Sequence, residues 1–350
     1  MVDASTSPHA SRAAADELGP VLVVGGAGYI GSHMVRLLAR EGVACAVFDD
    51  LSTGHREAVR DIPLHEASLA DRDALSRVFA EVSPRCVIHF AAKSYVGESV
   101  ERPAFYWREN VVNTWNLLEA MREHGCDRIV FSSTCATFGV PEKLPIEDDA
   151  PQAPITAYGR SKLAIEHMLD DYAIAYDLRY AALRYFNAAG AHHDGDLGED
   201  HDPETHLIPL VLDVAAGRRD EILIFGDDYS TPDGTCIRDY IHVEDLATVH
   251  LEAAAVLARG PARLRCNLGT GTGYSVREIV EAARKVTGHA IPARVVARRP
   301  GDPPELVSGG ERAKRELGFA PACSDVETIV RDAWGFKQTH PDGYGRDASG

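Results

Sequence analysis

Short apolar runs alternate with amphipathic stretches along the first half of the chain. The apolar runs predict strands near residues 21–25, 44–49, 86–90, 128–132 and 180–185. Between them, apolar residues recur at helical spacing and predict helices near 29–41, 71–82, 103–124 and 157–176. This alternation is typical of βαβ units around a parallel sheet. We therefore predict an α/β fold with a doubly wound parallel sheet over residues 20–190.

The alternation fails after residue 190. Polar loops such as 192–198 and 227–234 separate shorter elements there, which predicts a smaller C-terminal α/β substrate-binding domain over 191–340. We expect a cleft at the carboxyl ends of the parallel strands. Residues 1–19 and 341–350 lack periodicity and are predicted to form a flexible N-terminal tail and a C-terminal tail.

Composition and charge narrow the class of protein. The 350 residues are 45% hydrophobic and 25% charged, as in an ordinary globular enzyme. The formal net charge of −17 argues against a nucleic-acid partner, because no basic face is available to neutralise phosphates. Seven cysteines lack the spacing of a zinc site, so no metal is predicted. These thiols, with no secretory leader and no apolar run of membrane-spanning length, predict a cytoplasmic protein without membrane contact.

A glycine-rich turn follows the first predicted strand. It has the spacing Gly25-x-x-Gly28-x-x-Gly31 and leads into a helical pattern. Missing side chains let backbone N–H groups and the helix N-terminus approach a pyrophosphate, although such a triplet also occurs in ordinary turns. The second strand ends at Asp49, about 20 residues further on, where an acid meets the adenosine ribose hydroxyls. We therefore predict a Rossmann-type site for NAD rather than NADP, because a carboxylate repels a 2′-phosphate.

The candidate chemistry lies at a tyrosine and a lysine that share one helix face. Tyr158 and Lys162 are four residues apart. An ammonium group beside a phenol favours the phenolate, so we expect Tyr158 to have a lowered pKa and to move a hydroxyl proton near neutral pH. The strand near 128–132 runs into Ser132-Ser133-Thr134, and Thr134 is the expected hydrogen-bond partner of the reacting oxygen. A simpler interpretation is that these hydroxyls cap the next turn.

Five motifs, in order, give the chain a resemblance to a known family. They are Gly25-Gly26-Ala27-Gly28-Tyr29-Ile30-Gly31-Ser32-His33, Val96-Gly97-Glu98-Ser99, Tyr158-Gly159-Arg160-Ser161-Lys162, Arg184-Tyr185-Phe186-Asn187 and Arg238-Asp239-Tyr240-Ile241-His242-Val243. Together they resemble the UDP-glucose 4-epimerase family of extended short-chain dehydrogenases/reductases, from about residue 20 to 340. The resemblance implies an isomerase of galactose metabolism that interconverts UDP-galactose and UDP-glucose. NAD takes the C4 hydride, the 4-keto sugar rotates, and the hydride returns to its other face.

The same resemblance implies the residues that do this work. Thr134, Tyr158 and Lys162 would be catalytic. The cofactor contacts would be Gly25, Gly28, Tyr29, Ile30, Gly31, Asp49, Asp50, Ser52, Thr53, Gly54, Ser68, Leu69, Phe90, Ala91, Ala92, Ser94, Asn110, Tyr158, Lys162 and Phe186. The substrate contacts would be Thr134, Tyr158, Asn187, His206, Leu207, Leu223, Phe225, Arg238, Tyr240, Cys266, Arg299 and Asp302. For Phe90 and Phe186, core packing is the simpler alternative. The resemblance further implies permanently bound NAD and a homodimer formed through the helices near 103–124 and 157–176.

Some positions depart from the family's usual pattern. Ser68 replaces an Asp that faces the adenine, and Ser94 replaces a frequent Lys, so both bear on cofactor affinity. His206 stands where Asn is frequent, and Thr134 replaces Ser but keeps the hydroxyl. Cys266 corresponds to a position where a bulky Tyr closes the sugar pocket. A small residue there predicts some activity on UDP-GlcNAc and UDP-GalNAc, the alternative being a simple buried Cys.

Three other activities share parts of this pattern. A sugar-nucleotide 4,6-dehydratase needs Asp-Glu directly after the catalytic Thr, whereas Cys135-Ala136 follow here. An epimerase of UDP-pentoses, UDP-xylose and UDP-arabinose, stays open because those sugars lack only a hydroxymethyl group. A non-catalytic NAD sensor is disfavoured, because the three catalytic residue types are intact.

Overall fold

The computed structural model describes residues 17–299 and 302–345, so parts of the predicted tails, 1–16 and 346–350, lie outside the described residues. The strands are β1 (Val21–Val24), β2 (Cys45–Asp49), β3 (Leu64–Glu66), β4 (Cys86–His89), β5 (Arg128–Thr134), β6 (Arg179–Tyr185), β7 (Asn187–Ala189), β8 (Ile222–Phe225), β9 (Ile237–His242), β10 (Arg263–Leu268), β11 (Gly273–Ser275), β12 (Ala293–Val296) and β13 (Glu305–Leu306). The α-helices are α1 (Tyr29–Arg40), α2 (Arg56–Val59), α3 (Arg72–Val82), α4 (Val96–Glu101), α5 (Pro103–Tyr106), α6 (Asn113–Glu123), α7 (Ala157–Ala175), α8 (Leu207–Ala215), α9 (Val243–Arg259), α10 (Val276–Thr287), α11 (Glu311–Leu317) and α12 (Val326–Thr339).

Seven parallel strands form the central sheet, in the order β10-β6-β5-β4-β1-β2-β3. Successive side chains of a strand point to opposite faces, and both faces of this sheet are covered. Val21 and Val23 pack with α1 and α9, whereas Leu22 and Val24 pack with α3, α6 and α7. This double burial explains why the strands are continuous apolar runs in the sequence. The predicted doubly wound parallel sheet is confirmed.

The carboxyl ends of the parallel strands meet at one edge of the sheet. β1 lies between β2 and β4, so the order of the strands reverses beside it. A crevice forms at such a point because the chain leaves neighbouring strands toward opposite faces. Gly25, Asp49, Phe90, Thr134 and Phe186 stand at or directly after strand ends at this edge. The fold thus brings together residues that are far apart in the sequence.

The second half of the chain forms two small sheets and a separate apolar cluster. β9 pairs in parallel with β7 and β13 and antiparallel with β11, and β8 pairs in parallel with β12. Side chains of α8, α10 and α12 pack together in one cluster.

The chain returns to the central sheet after the boundary predicted at residue 190. β10 pairs with β6, and α9 packs in the same apolar cluster as α1. Residues 243–268 therefore lie with the central sheet rather than with the two small sheets. Pairing with β10 covers the edge of β6. A first domain that ended at residue 190 would lack β10 and leave this edge unpaired.

The predicted helices are present, with one interruption. The helix predicted over 103–124 is built from α5, a π-helical turn at Trp107–Val112, and α6. The short β3 and β7 were not predicted. Within the part of the chain that the structure describes, no helix has the length and apolar character needed to cross a membrane.

Candidate functional site

The three glycines after β1 do different work. Gly25 has a φ of 80°, and a Cβ on it would lie 2.4 Å from Ala91 N. A Cβ on Gly31 would lie 2.1 Å from Gly25 O. A Cβ on Gly28 would meet only Gly25 O, at 3.5 Å. Gly25 and Gly31 therefore permit close packing of the turn, whereas Gly28 leaves open space beside the start of α1.

The N-terminus of α1 faces this space without a side-chain cap. Gly28 is the N-cap and has no side chain to accept from the first turn of the helix. The N–H groups of a first turn have no partner within the helix and are suited to an anion such as a pyrophosphate. Tyr29, the first residue of α1, donates its hydroxyl hydrogen bond to Gly190 O at 2.7 Å. The arrangement fits the phosphates of a dinucleotide.

Asp49 joins the end of β2 to the glycine turn. Its carboxylate accepts hydrogen bonds from Ala27 N and Leu51 N, both at 2.9 Å. Burial raises the pKa of Asp49, and these two hydrogen bonds oppose the rise. A carboxylate has about four acceptor positions, so capacity remains for ribose hydroxyls. The position of Asp49 fits the predicted NAD contact.

The loop after β2 lies beside the loop after β4. Asp50, Ser52 and Thr53 are exposed, and a Cβ on Gly54 would lie 2.7 Å from the carbonyl carbon of Ala27. Lys93 Nζ donates a hydrogen bond to Ser52 Oγ at 2.9 Å. The two predicted cofactor-binding loops are thus brought together by a lysine that sequence reasoning did not assign.

The residues after β4 are fixed against β1. Phe90 N and Ala91 N both donate to Val24 O, at 2.8 and 3.1 Å. The Phe90 ring packs on His250, with the ring centroids 4.8 Å apart, so it does serve the packing role named as the simpler alternative. Ala92 is half-buried and Ser94 is exposed.

Asn110 makes its hydrogen bonds within the protein. It is fully buried; its Oδ1 accepts from Lys93 N at 2.8 Å, and its Nδ2 donates to Lys93 O and Ser161 Oγ, both at 3.0 Å. The amide is therefore used to join the loop after β4 to α7. The predicted contact of Asn110 with the cofactor stays a prediction.

Ser68 and Leu69 follow β3. Ser68 is half-buried, and its Oγ accepts from Ala70 N at 3.2 Å. Leu69 is buried in the apolar cluster of α3 and α6, and its carbonyl oxygen accepts from Asn116 Nδ2 at 3.0 Å. The Leu69 side chain thus belongs to the core.

Thr134 and Tyr158 meet where β5 ends and α7 begins. A side-chain hydrogen bond from Thr134 lowers the pKa of Tyr158, although it does not outweigh burial. Thr134 Oγ1 also accepts from Ala136 N at 3.2 Å, so it caps the following turn as well. A Cβ on Gly159 would lie 2.4 Å from Ala136 O. The missing side chain of Gly159 lets α7 approach this turn and bring Tyr158 to Thr134.

The electrostatics of Tyr158 differ from the expectation. Burial raises the pKa of its phenol above the usual range, and Tyr185 adds to the rise. Burial also lowers the pKa of Lys162 to about 7, against the effect of Glu166. Desolvation of the phenol is the largest effect on the pKa of Tyr158, and it opposes the predicted lowering.

The similarity to known proteins decides the class of this site. A family model described as the NAD dependent epimerase/dehydratase family matches residues 21–269. The chain belongs to the NAD-dependent epimerase/dehydratase family. This confirms the prediction of an NAD-dependent enzyme made from the glycine turn and Asp49.

Relatives cover nearly the whole of this epimerase-family chain. The UDP-glucose 4-epimerase of Halalkalibacterium halodurans is 49% identical over 324 residues, which are 93% of this chain and 97% of that protein. The crystal structure of UDP-glucose 4-epimerase from Brucella ovis with NAD is 54% identical, with a TM-score of 0.88, over 90% of this chain and 98% of that one. The Bifidobacterium longum UDP-glucose 4-epimerase with NAD+ and UDP is 36% identical, with a TM-score of 0.87, over 93% and 99%.

Two predicted arginines of this epimerase-family protein lie near one another. Arg238 of β9 forms an ion pair with Asp302 and donates to Ile237 O at 2.8 Å. The guanidinium of Arg299 lies 4.0 Å from the centroid of the Phe225 ring. Asp302 N donates to Arg299 O at 3.4 Å, which links the two pairs. Four predicted substrate residues thus form one connected group.

The remaining predicted substrate residues lie on nearby elements. Asn187 and Tyr240 pair in register between β7 and β9. His206 is the N-cap of α8, and Leu207 is its first residue. Leu223 lies in β8. Phe186 is buried with Phe138 and Ile146, so it has the packing role that was its simpler alternative.

Cys266 is not placed as a wall of a sugar pocket. It is fully buried in β10, opposite Leu183 in register, and packs in the cluster between the central sheet, α1 and α9. Burial raises the pKa of its thiol to about 12. The simple buried Cys is therefore the correct interpretation, and the expectation of activity on N-acetylated sugars loses its basis. Leu306 of β13 instead packs against Phe186 and pairs with Arg238.

A buried ion pair beside the predicted catalytic residues was not predicted from the sequence. Glu166 accepts from Arg184 Nε at 2.9 Å and Nη2 at 2.7 Å, and from Ser133 Oγ at 2.6 Å. Both charged side chains are almost fully buried. The sequence contains part of the signal for this ion pair. Glu166 continues the four-residue spacing of Tyr158 and Lys162 and so lies on the same face of α7.

Proposed function

We propose that this chain is a UDP-glucose 4-epimerase that interconverts UDP-galactose and UDP-glucose. The observation that carries the proposal is the hydroxyl pair of Thr134 and Tyr158 at the end of β5, on an NAD-binding fold. Two hydroxyl groups in contact can hold and move the proton of a sugar hydroxyl. Identity of about half the residues with UDP-glucose 4-epimerases, over nearly the full chain, supports the same reaction.

In the proposed mechanism the proton and the hydride of the sugar go to different acceptors. When bound, NAD supplies the acceptor for the C4 hydride and returns it to the other face of the sugar. Burial raises the pKa of the Tyr158 phenol, and the positive charge that NAD supplies when bound would oppose this rise and favour the phenolate. Tyr158 Oη would then accept the proton of the C4 hydroxyl and later give it back, while Thr134 Oγ1 orients the two oxygens. Lys162 lies one turn after Tyr158 in α7, and its ammonium group, when charged, would favour the phenolate. Because the proton and the hydride both return, the cycle consumes no oxidant.

The UDP portion needs positive charge, and the net charge of the chain is −17. Arg238 and Arg299 are proposed to contact the diphosphate, since guanidinium groups suit phosphate oxygens. The ion pair with Asp302 orients Arg238 toward this role. Asn187, Leu207, Leu223, Phe225 and Tyr240 are proposed to surround the uridine and the diphosphate.

A homodimer is proposed through the helices that lead to and include α6 and α7. Exposed apolar side chains lie on these elements: Val100 is 64% exposed, Val112 47%, Trp115 41% and Ile174 70%. Such side chains on neighbouring helices are typical of a surface that another chain covers. Sedimentation should give a dimer, and the double variant Val112→Glu/Ile174→Glu should sediment as a monomer. A monomeric parent protein contradicts the proposal.

A cytoplasmic location is also proposed. The seven cysteines are all free thiols, as expected in a reducing compartment. Fractionation of cells that produce the protein, with detection in each fraction, tests this location.

The first experiment is incubation of the purified protein with UDP-galactose, without added NAD, with UDP-glucose followed by chromatography. Formation of UDP-glucose supports a 4-epimerase that carries its own cofactor. If no product forms even after NAD is supplied, the proposed reaction is wrong and UDP-pentoses become the substrates to test.

A further inference from the structure

Two histidines and two glutamates converge in the loop between β7 and α8. We call Glu199, His201, Glu204 and His206 the His–Glu cluster. Their nitrogen and carboxylate oxygen atoms all lie within 4.8 Å of one another. Three of the four side chains are mostly buried, with exposed fractions of 7% for Glu199, 19% for His201 and 13% for Glu204.

The spacing of these atoms is close to that of the ligands of one tetrahedral ion. Glu199 Oε1 lies 3.1 Å from His201 Nδ1 and 2.8 Å from His206 Nδ1. Glu204 oxygens lie 3.0 Å from His206 Nδ1 and 3.7 Å from His201 Nδ1. Zinc–ligand bonds of about 2.0–2.2 Å in a tetrahedron place neighbouring ligand atoms roughly 3.3–3.5 Å apart. The four measured distances lie on either side of this value.

Hydrogen bonding does not account for the whole arrangement. His201 Nδ1 is buried and has no hydrogen-bond partner among residues 17–299 and 302–345, although a carboxylate oxygen is 3.1 Å away. A buried polar atom without a partner is costly, and coordination of an ion satisfies such an atom. We propose that Glu199, His201, Glu204 and His206 bind one Zn²⁺ ion.

The charges of the cluster suit a divalent cation. Glu199 and Glu204 bring two carboxylates together, and a Zn²⁺ ion supplies two positive charges that balance them. Imidazoles bind such an ion in their neutral form, so metal binding releases any protons that they carry. Imidazole and carboxylate ligands together suit zinc better than calcium or magnesium.

The site would be structural, because four protein ligands leave no position for a substrate, and His206 would hold the ion rather than contact the sugar nucleotide. His201 lies next to Tyr29 and Tyr95, with ring centroids 6.3 and 6.5 Å apart. Tyr95 also donates its hydroxyl hydrogen bond to Pro203 O at 3.1 Å. The ion would fix the loop 199–206 against the start of α1 and of α4. The sequence prediction of no metal relied on cysteine spacing, which this set does not use.

Zinc binding to the purified holoenzyme tests this inference without any assay of activity. The protein is treated with a chelator, and Zn²⁺ is then titrated against a chromophoric competitor while metal content is measured by mass spectrometry. We expect one Zn²⁺ per chain. His201→Ala and Glu204→Gln should each weaken binding by more than the roughly 10–100-fold loss typical of removing a residue that only supports a ligand.

His193→Ala is the matched control. His193 is an exposed histidine in a separate group with His192 and Asp194, and its loss should leave the stoichiometry and affinity unchanged. Circular dichroism and NAD content show whether each variant is folded. If His201→Ala does not fold, Glu204→Gln still tests the site, because it keeps the size of the side chain. No zinc in the parent protein, or parental affinity in both cluster variants, overturns the inference. So does loss of zinc in His193→Ala alone. Each of these results leaves the epimerase reaction untouched.

Discussion

The ammonium group of Lys162 donates a hydrogen bond to the carbonyl oxygen of Ser132 at 2.8 Å. This bond joins α7 to β5 directly below the place where Tyr158 meets Thr134. Nζ also lies 4.8 Å from the centroid of the Phe131 ring, and the side chain is 2% exposed. Lys162 is therefore held by a carbonyl group and an aromatic face, and burial lowers its pKa against the effect of Glu166.

Lys162 makes stability depend on pH in the cofactor-free chain. Burial lowers its pKa from 10.5 to about 7, so between these values the unfolded chain binds more protons at Lys162 than the folded chain does. Stability therefore rises as pH increases through this window. We expect the free energy of unfolding of the parent, minus that of Lys162→Met, to rise by about 1 kcal/mol per pH unit from about pH 7.5 to 9. Urea unfolding of both proteins at several pH values measures this difference. If the two free energies of unfolding change with pH in parallel, Lys162 stays charged in the folded chain.

Tyr158→Phe should abolish turnover while leaving the cofactor bound. The substitution removes only the hydroxyl group, and a positioned acid–base group contributes about 10²–10⁴-fold to a rate. The rate with UDP-galactose and the NAD content of the purified variant are the measurements. Tyr176→Phe is the control, because Tyr176 is 54% exposed at the end of α7. Loss of NAD or of folding in the Tyr158 variant would show a structural role instead.

Gly31→Ala should disrupt the cofactor turn. A Cβ at this position lies 2.1 Å from Gly25 O, and backbone must move to relieve the contact. We expect the purified variant to carry little NAD and to lose about 2 kcal/mol or more of stability. Gly335→Ala is the comparison, because a Cβ there meets nothing within 4 Å inside α12 and should be neutral or slightly stabilising. Full NAD content in Gly31→Ala would contradict the proposed role of the turn.

The buried pair of Glu166 and Arg184 should contribute far more than a surface pair. Removing one partner of a buried pair leaves the other charge uncompensated, so we expect Glu166→Gln to cost about 3 kcal/mol. The exposed pair of Arg72 and Glu123 provides the control. Glu123→Gln should cost less than about 1 kcal/mol. Thermal unfolding at saturating NAD compares the two variants, and equal effects would show that burial does not strengthen the first pair.

Local patterns predicted the residues that lie at strand ends, and they failed where distant segments meet. Gly25, Asp49 and Thr134 follow apolar runs, so their place at the edge of the sheet was readable from periodicity. The family resemblance assigned Cys266 to a sugar pocket, and nothing in the neighbouring sequence indicates that β10 pairs with β6 in the central sheet. The pKa of Tyr158 depends on how much water surrounds the phenol. That quantity arises only from packing.

Arg238→Ala should weaken the binding of the UDP-sugar more than it slows the chemistry. A hydrogen bond to a charged group contributes about 1.5–3 kcal/mol, so we expect KM for UDP-galactose to rise about 10–100-fold with a small change in kcat. Arg298→Ala is the matched control, because Arg298 pairs with Asp228 and lies over the Tyr229 ring rather than beside Asp302. Steady-state kinetics of both variants separates the outcomes. A lower kcat with unchanged KM would place Arg238 in the chemical step, and no change in either would reduce its ion pair with Asp302 to a structural contact.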